Sequence, residues 1–340
     1  MLAGPQLELG DIMLRRIALG LSILFSAAGL GACSSSSAPI SIGPNFVPLS
    51  VYVTNSTQNA ISIFGPNPTS ASVPINQIGG SNTGLNGPQY LAFDATKHLY
   101  VTNFNPGTTF GQITEYAPQA TGNVLPFAAI GGSGSSVGDP RGVALNSTGN
   151  IYVTNVGAPP VQASSILVFP AGSSGAVPPI NVIAGAVTGL NFPTGIDLDS
   201  TGIIYVANTG NATLETFSAT ATGNAAPATA IGGPLTTLVS PAGLEVDGTG
   251  RILVADTAAS AVDIFASGAS GNVAPVARIA GAATTLSGPS DVAVDSAGNI
   301  YVTNTGTGKI LVFAPGANGN VAPTQSITAP GTLVGIALSP

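Results

Sequence analysis

Asp197 and Glu245 stand 48 residues apart in matching segments, "GIDLDSTG" and "GLEVDGTG", where other copies of the segment place Ala92, Ala144, Ala293 and Ala337. Two carboxylates brought close together can hold a divalent cation or share a proton. Unpaired buried charge is costly, so a cation, a proton or channel water must compensate them. The run "DLDSTG" (197–202) has too few oxygen ligands for a calcium loop. The single histidine, His98, lies in the turn "ATKHLY" and reads as an exposed side chain, so no Ser-His-Asp arrangement can be assembled around it. Arg141 is one of five basic residues after position 50, and Gln89, Tyr90, Phe104 and Phe110 are the polar and aromatic residues that the repeat described below places near it. An arginine with aromatic neighbours is a candidate contact surface.

What positions these residues is a repeat. The segments "VYVTN", "LYVTN", "IYVTN", "IYVAN", "ILVAD" and "IYVTN" end at Asn55, Asn103, Asn155, Asn208, Asp256 and Asn304, at intervals of 48, 52, 53, 48 and 48 residues. A period of this length means stacked supersecondary units. Each unit reads as a Pro-led strand ("GPSDVAVD"), a turn, the "YVTN" strand, a third strand ("KILVFAP") and, after a Gly-rich loop, a fourth. Asp94, Asn146, Asp199, Asp247 and Asp295 open the turns, where a side-chain oxygen accepts backbone N–H groups and a following Gly takes positive φ. Tyr52, Tyr100, Tyr152, Tyr205 and Tyr301 recur at one strand position and are expected to pack between sheets.

The count of pieces settles the architecture. Six "YVTN" strands are served by only five internal Pro-led strands, at Pro88, Pro140, Pro193, Pro241 and Pro289, while the chain ends in the similar "TLVGIALSP". The final strand, Leu333–Leu338, therefore completes the blade begun at Val51. The expected fold is all-β, a closed six-bladed β-propeller of four-stranded blades over residues 50–340. On these motifs the chain resembles the NHL-repeat and YVTN families of β-propeller proteins. That resemblance implies the fold and leaves the activity open.

Upstream, Arg15 and Arg16 precede the apolar run "IALGLSILFSAAGLGA" and then Cys33. A basic start, a short apolar stretch and small residues describe a secretory signal over residues 1–32, with Met13 the better start. "LGAC" (30–33) resembles a bacterial lipobox, which implies acylation of Cys33, and Ser34 after it implies the outer membrane. Residues 33–49 then read as the lipidated cysteine and a flexible tether.

Composition narrows function. Charged residues make up 6% of the chain, the net charge is −7, and no basic patch exists, which excludes nucleic acid as a partner. Alternating strand direction puts the loops that enter the Pro-led strands and the loops after "YVTN" on one face. Two of those loops are lengthened, "NFNPGTTFGQ" with Phe104 and Phe110, and "NVGAPPVQAS" with Pro159, Pro160 and Gln162. Gln89, Tyr90 and Arg141 are expected at the axial mouth on that face. Gluconolactonase-like propellers hold a metal next to the start of the Pro-led strand. The matching positions here are Gln89, Arg141, Thr194, Ala242 and Ser290, none a carboxylate. Amidating and streptogramin-type lyases of related fold need histidines, and His98 lies on the other face.

The sequence thus implies a lipid-anchored, monomeric envelope protein acting as a non-catalytic binding or scaffold module for a protein or small ligand. Its expected contact residues are Gln89, Tyr90, Phe104, Phe110 and Arg141, and no cofactor is expected. The competing reading is a metal-dependent hydrolase or lyase using Asp197 and Glu245 with a divalent cation in the central channel.

Overall fold

In the computed structural model, residues 49–157 and 163–339 are described. The signal segment, Cys33, most of the tether and the tip residues Pro159, Pro160 and Gln162 lie outside them. The repeat folds into six four-stranded antiparallel sheets. The inner strands are Pro88–Phe93, Pro140–Leu145, Pro193–Leu198, Pro241–Val246, Pro289–Val294 and, for the first blade, Leu333–Leu338. The "YVTN" strands sit second in every blade. Ring closure is as the count requires: Val51 pairs with Leu338, Tyr52 with Ala337 and Val53 with Ile336.

Buried apolar side chains gather in six clusters, each shared by two consecutive blades, including the sixth and first. The core is therefore distributed over the seams, and each "YVTN" letter serves a seam or a loop. The tyrosines do pack between sheets: Tyr100 and Tyr152, for example, join clusters shared with the next blade. The valine is fully buried in all six copies.

The threonine bridges backbones. Thr154 Oγ1 accepts the Gly142 N–H (2.7 Å) of its own inner strand and donates to the Thr194 carbonyl (2.6 Å) of the next. Where the fourth and fifth blades have Ala207 and Ala255 instead, Thr209 and Thr257 make the same inter-blade bond, to the Pro241 and Pro289 carbonyls. The final Asn accepts the N–H groups of the loop that enters the inner strand, as Asn155 does from Gly138 and Asp139. Five turns behave as Asx turns, with Asp199 Oδ1 accepting the Thr201 and Ile203 N–H groups.

At the rim, five seams carry a backbone clamp. Gly122, Gly175, Gly223, Gly271 and Gly319 each donate to the outer strand of the preceding blade and accept from it in return. The seam between the sixth and first blades has Ser70 at the corresponding place. There Ser70 N–H and hydroxyl meet Gln325 Oε1, and Ser326 N–H donates to Ser70.

Candidate functional site

The axis is closed at one end and open at the other. Near the start of each inner strand, one slot holds Gly142, Gly195, Gly243 and Gly335 in four blades. Neighbouring inner strands approach so closely there that a Cβ on Gly195 would lie 2.3 Å from the Ala242 carbonyl oxygen. The other two blades place Tyr90 and Asp291 in this slot. Tyr90 is buried, and its hydroxyl donates to the Ser290 carbonyl (3.1 Å) two blades away, so the ring crosses the axis as a plug. Burial holds its phenol well above the usual range.

From this tier a cavity of about 490 Å³ runs along the inner strands to Asp94 and Ala95, and so opens on the face of the Asx turns. The sequence reading put the mouth on the opposite face, with Gln89, Tyr90 and Arg141. The structure puts that end at the plug, because glycines and Tyr90 fill it.

Asp197 and Glu245 do line the channel, and Asp291 joins them. Each reaches the next inner strand. Asp197 Oδ2 accepts the Val246 N–H (2.8 Å), Glu245 Oε2 the Val294 N–H (3.0 Å), and Asp291 Oδ2 the Ile336 N–H (2.9 Å). The Oδ1 atoms of Asp197 and Asp291 accept the following N–H of their own strands. Burial raises all three. Asp197 stands at about 6, Asp291 at about 8 and Glu245 at about 9, the last two pushed further by the Asp197 charge. Burial thus favours the protonated form of Glu245 and Asp291, while the N–H donors from the backbone favour the ionised one.

Asp291 escaped the sequence reading because it sits two positions before the Ala-or-acid slot. The signal was present in the slot that is Gly in four blades. A divalent cation needs oxygen lone pairs from ionised ligands. Both oxygens of Asp197 and of Asp291 already receive N–H donors. Among the described residues no three His, Cys, Asp or Glu side chains converge as a metal-holding group. The channel acids do not fit a resident divalent cation.

Beyond the plug, on the face of the lengthened loops, Arg141 collects a different set. Its Nη1 donates to Gln89 Oε1 (3.2 Å) and its Nη2 to Asp139 Oδ2 (2.9 Å). The guanidinium carbon lies 5.3 Å from the centroid of the Phe104 ring and 5.8 Å from that of Phe192, both exposed. Arg141 Nε and Asp139 Oδ1 are buried without hydrogen-bond partners. Gln89, Phe104 and Arg141 thus come together as expected. Tyr90 lies beneath as the plug. Phe110 stands apart, lining a groove of about 300 Å³ with Asn105, Thr108 and Gln112.

Phe192 was missed; an aromatic directly before the Pro of an inner strand was its signal. Val187, Leu235 and Val239, also exposed, extend the apolar surface over the loops of the fourth and fifth blades. His98 is not simply exposed. Its Nδ1 meets Glu115 Oε1 at 2.5 Å and its ring packs edge-on against Phe127.

The NHL repeat family matches residues 286–313, the inner, second and third strands of the sixth blade. The chain is a six-bladed β-propeller carrying an NHL repeat. Among solved structures, the propeller resembles one described as a nidogen/laminin complex (17% identity, TM-score 0.58, 86% of this chain and 98% of that one). It also resembles a protein of unknown function from Bacteroides caccae (12%, 0.61, 86% and 99%). A third likeness is to the periplasmic gluconolactonase of Pseudomonas aeruginosa (14%, 0.55, 86% and 99%). At these identities the likeness shows the fold. No curated protein matches the propeller by sequence.

Proposed function

We propose that the protein is a lipid-anchored envelope module that binds a protein or small ligand through the face bearing Arg141, without catalysis. One observation carries this reading: the Arg141 guanidinium lies against two exposed phenyl rings, Phe104 and Phe192, which come from different blades. Clustered aromatic and arginine side chains at a surface are the usual anchors of an interface. Anchoring rests on Cys33 and the lipobox-like segment before it.

A photo-crosslinking amino acid at Phe192 in growing cells should give a discrete adduct that disappears when Arg141→Ala is added. The same probe at Thr220, on the opposite face, should give none. Equal labelling from both positions, or none from Phe192, removes the proposed surface. Cys33→Ser should abolish incorporation of a fatty-acid analogue.

A second reading, a hydrolase or lyase acting through Asp197 and Glu245, is supported by the volume of the channel and its acids. It ranks lower because those acids are bonded to neighbouring strands. Hydrolysis of sugar lactones by the purified protein, lost in Asp197→Asn and Glu245→Gln, would reverse the ranking. So would one equivalent of tightly held metal lost in the same variants.

A further inference from the structure

The strand that opens the propeller begins on the channel-mouth face: Val51 pairs with Leu338 and with Phe64, at the end where inner strands run out. The loops joining third to outer strands lie on that same face, since Ile75 follows directly onto the backbone of Ile63, and Phe127 onto that of Glu115. These loops hold the most exposed large apolar side chains of the described residues. Val73 (71%) and Ile75 (61%) belong to the first blade, and Leu125 (76%) and Phe127 (68%) to the second. Ile180, Val276 and, less exposed, Val321 follow singly on the third, fifth and sixth blades. None of the six loops contains an Asp, Glu, Lys or Arg. Apolar side chains at such exposure, grouped on two adjacent blades in loops that hold no charge themselves, are unusual on a solvated rim.

We infer that the rim of the first two blades, centred on Val73, Ile75, Leu125 and Phe127, seats in the lipid surface to which Cys33 anchors the chain, so that the Arg141 face points away from the membrane. The occupant follows from where the chain enters. The 17 residues Ser34–Ser50 join the anchor to Val51, in the blade that carries Val73 and Ile75. Such a segment reaches at most about 60 Å at full stretch. The apolar rim is thus kept within reach of the bilayer at high effective concentration. The rim loops hold no charge, and in the Asx turns of the same face Asp94, Asp199, Asp247 and Asp295 outnumber Lys97 and Arg251, which favours a zwitterionic interface over anionic headgroups. This inference rests on the anchoring part of the proposed function and adds an orientation to it.

The chain has no tryptophan, so single substitutions report cleanly. Leu125→Trp and, as control, Thr109→Trp on the opposite face alter exposed positions and leave the core untouched. Each full-length protein, extracted from membranes, is reconstituted on phosphatidylcholine vesicles containing brominated acyl chains. The expected result is retention of both proteins on the vesicles, with the indole emission of the Leu125→Trp protein blue-shifted and quenched several-fold more than that of the Thr109→Trp protein. Retention with equal quenching of the two proteins overturns the orientation while leaving the anchor standing. Retention with the Leu125→Trp emission blue-shifted but unquenched means that protein, not lipid, covers the rim, and overturns the inference. Failure of either protein to stay on vesicles overturns anchor and orientation together.

Discussion

The two ends of the propeller axis use polar side chains in opposite ways. On the channel side of the plug, from the tier of Asp291 outward to that of Asp197 and Glu245, carboxyl oxygens are directed at the backbone of the next blade, and their function is visible in the fold itself. Beyond the plug, Arg141 and Asp139 satisfy one another only in part and leave atoms without partners. A buried polar atom without a partner costs about 1–3 kcal/mol. The channel acids are thus explained by architecture, whereas the Arg141 cluster is the surface that the proposed binding role would use.

That contrast can be broken by substitution. The largest effect is expected at the plug tier. Gly195→Val puts a branched side chain against the Ala242 carbonyl and should cost about 3 kcal/mol or more, or prevent ring closure, read as loss of a cooperative melt by circular dichroism. Next comes pH. Glu245 and Asp291 have folded values near 9 and 8, above those of the unfolded chain, so the folded state binds more protons between about pH 4.5 and 9. Their contribution is therefore complete below the unfolded value and is lost as pH rises through the folded one. Denaturant midpoints should fall steadily from pH 5 to pH 9, and Glu245→Gln should flatten the slope. A profile unchanged by Glu245→Gln would mean that the channel acids are solvated and ionised, and the contrast between the two ends would fail.

Smaller again is Thr154→Val, which removes one seam bridge and should cost about 1 kcal/mol in urea unfolding. Smallest in stability is Arg141→Ala, expected to shift unfolding by less than about 1 kcal/mol, as for a partly exposed pair, while abolishing the Phe192 adduct. If Arg141→Ala instead destabilised as much as Gly195→Val, the cluster would be a structural element like the channel acids.

Much of the fold could be read because each blade repeats the same physical tasks. The Asn that ends "YVTN" must cap an incoming loop, and the missing sixth inner strand could be counted. The site was harder. Asp197 and Glu245 were found because they replace alanines in a repeated slot. Asp291 and Tyr90 replace glycine in a different slot, and only the close approach of inner strands reveals what that slot does. Which end of the axis is open depends on side-chain volume at that tier, which periodicity does not report. Phe104 and Arg141 could be placed together from strand direction, but Phe192 comes from the next blade. Phe110 sits only six residues from Phe104 yet turns into a separate groove.

The rim clamp missing between the sixth and first blades, together with closure by Leu333–Leu338, bears on how the molecule is made. Until Leu333–Leu338 is in place, Val51 and Val53 are paired only on the side of Phe64 and Ser62, and the first sheet shows a raw edge. Ring closure therefore waits on a pairing between strands at opposite ends of the propeller's sequence. A chain cut before Leu333 remains open at the first blade and prone to aggregate, so proteases and holdases meet either an unclosed ring or a closed one.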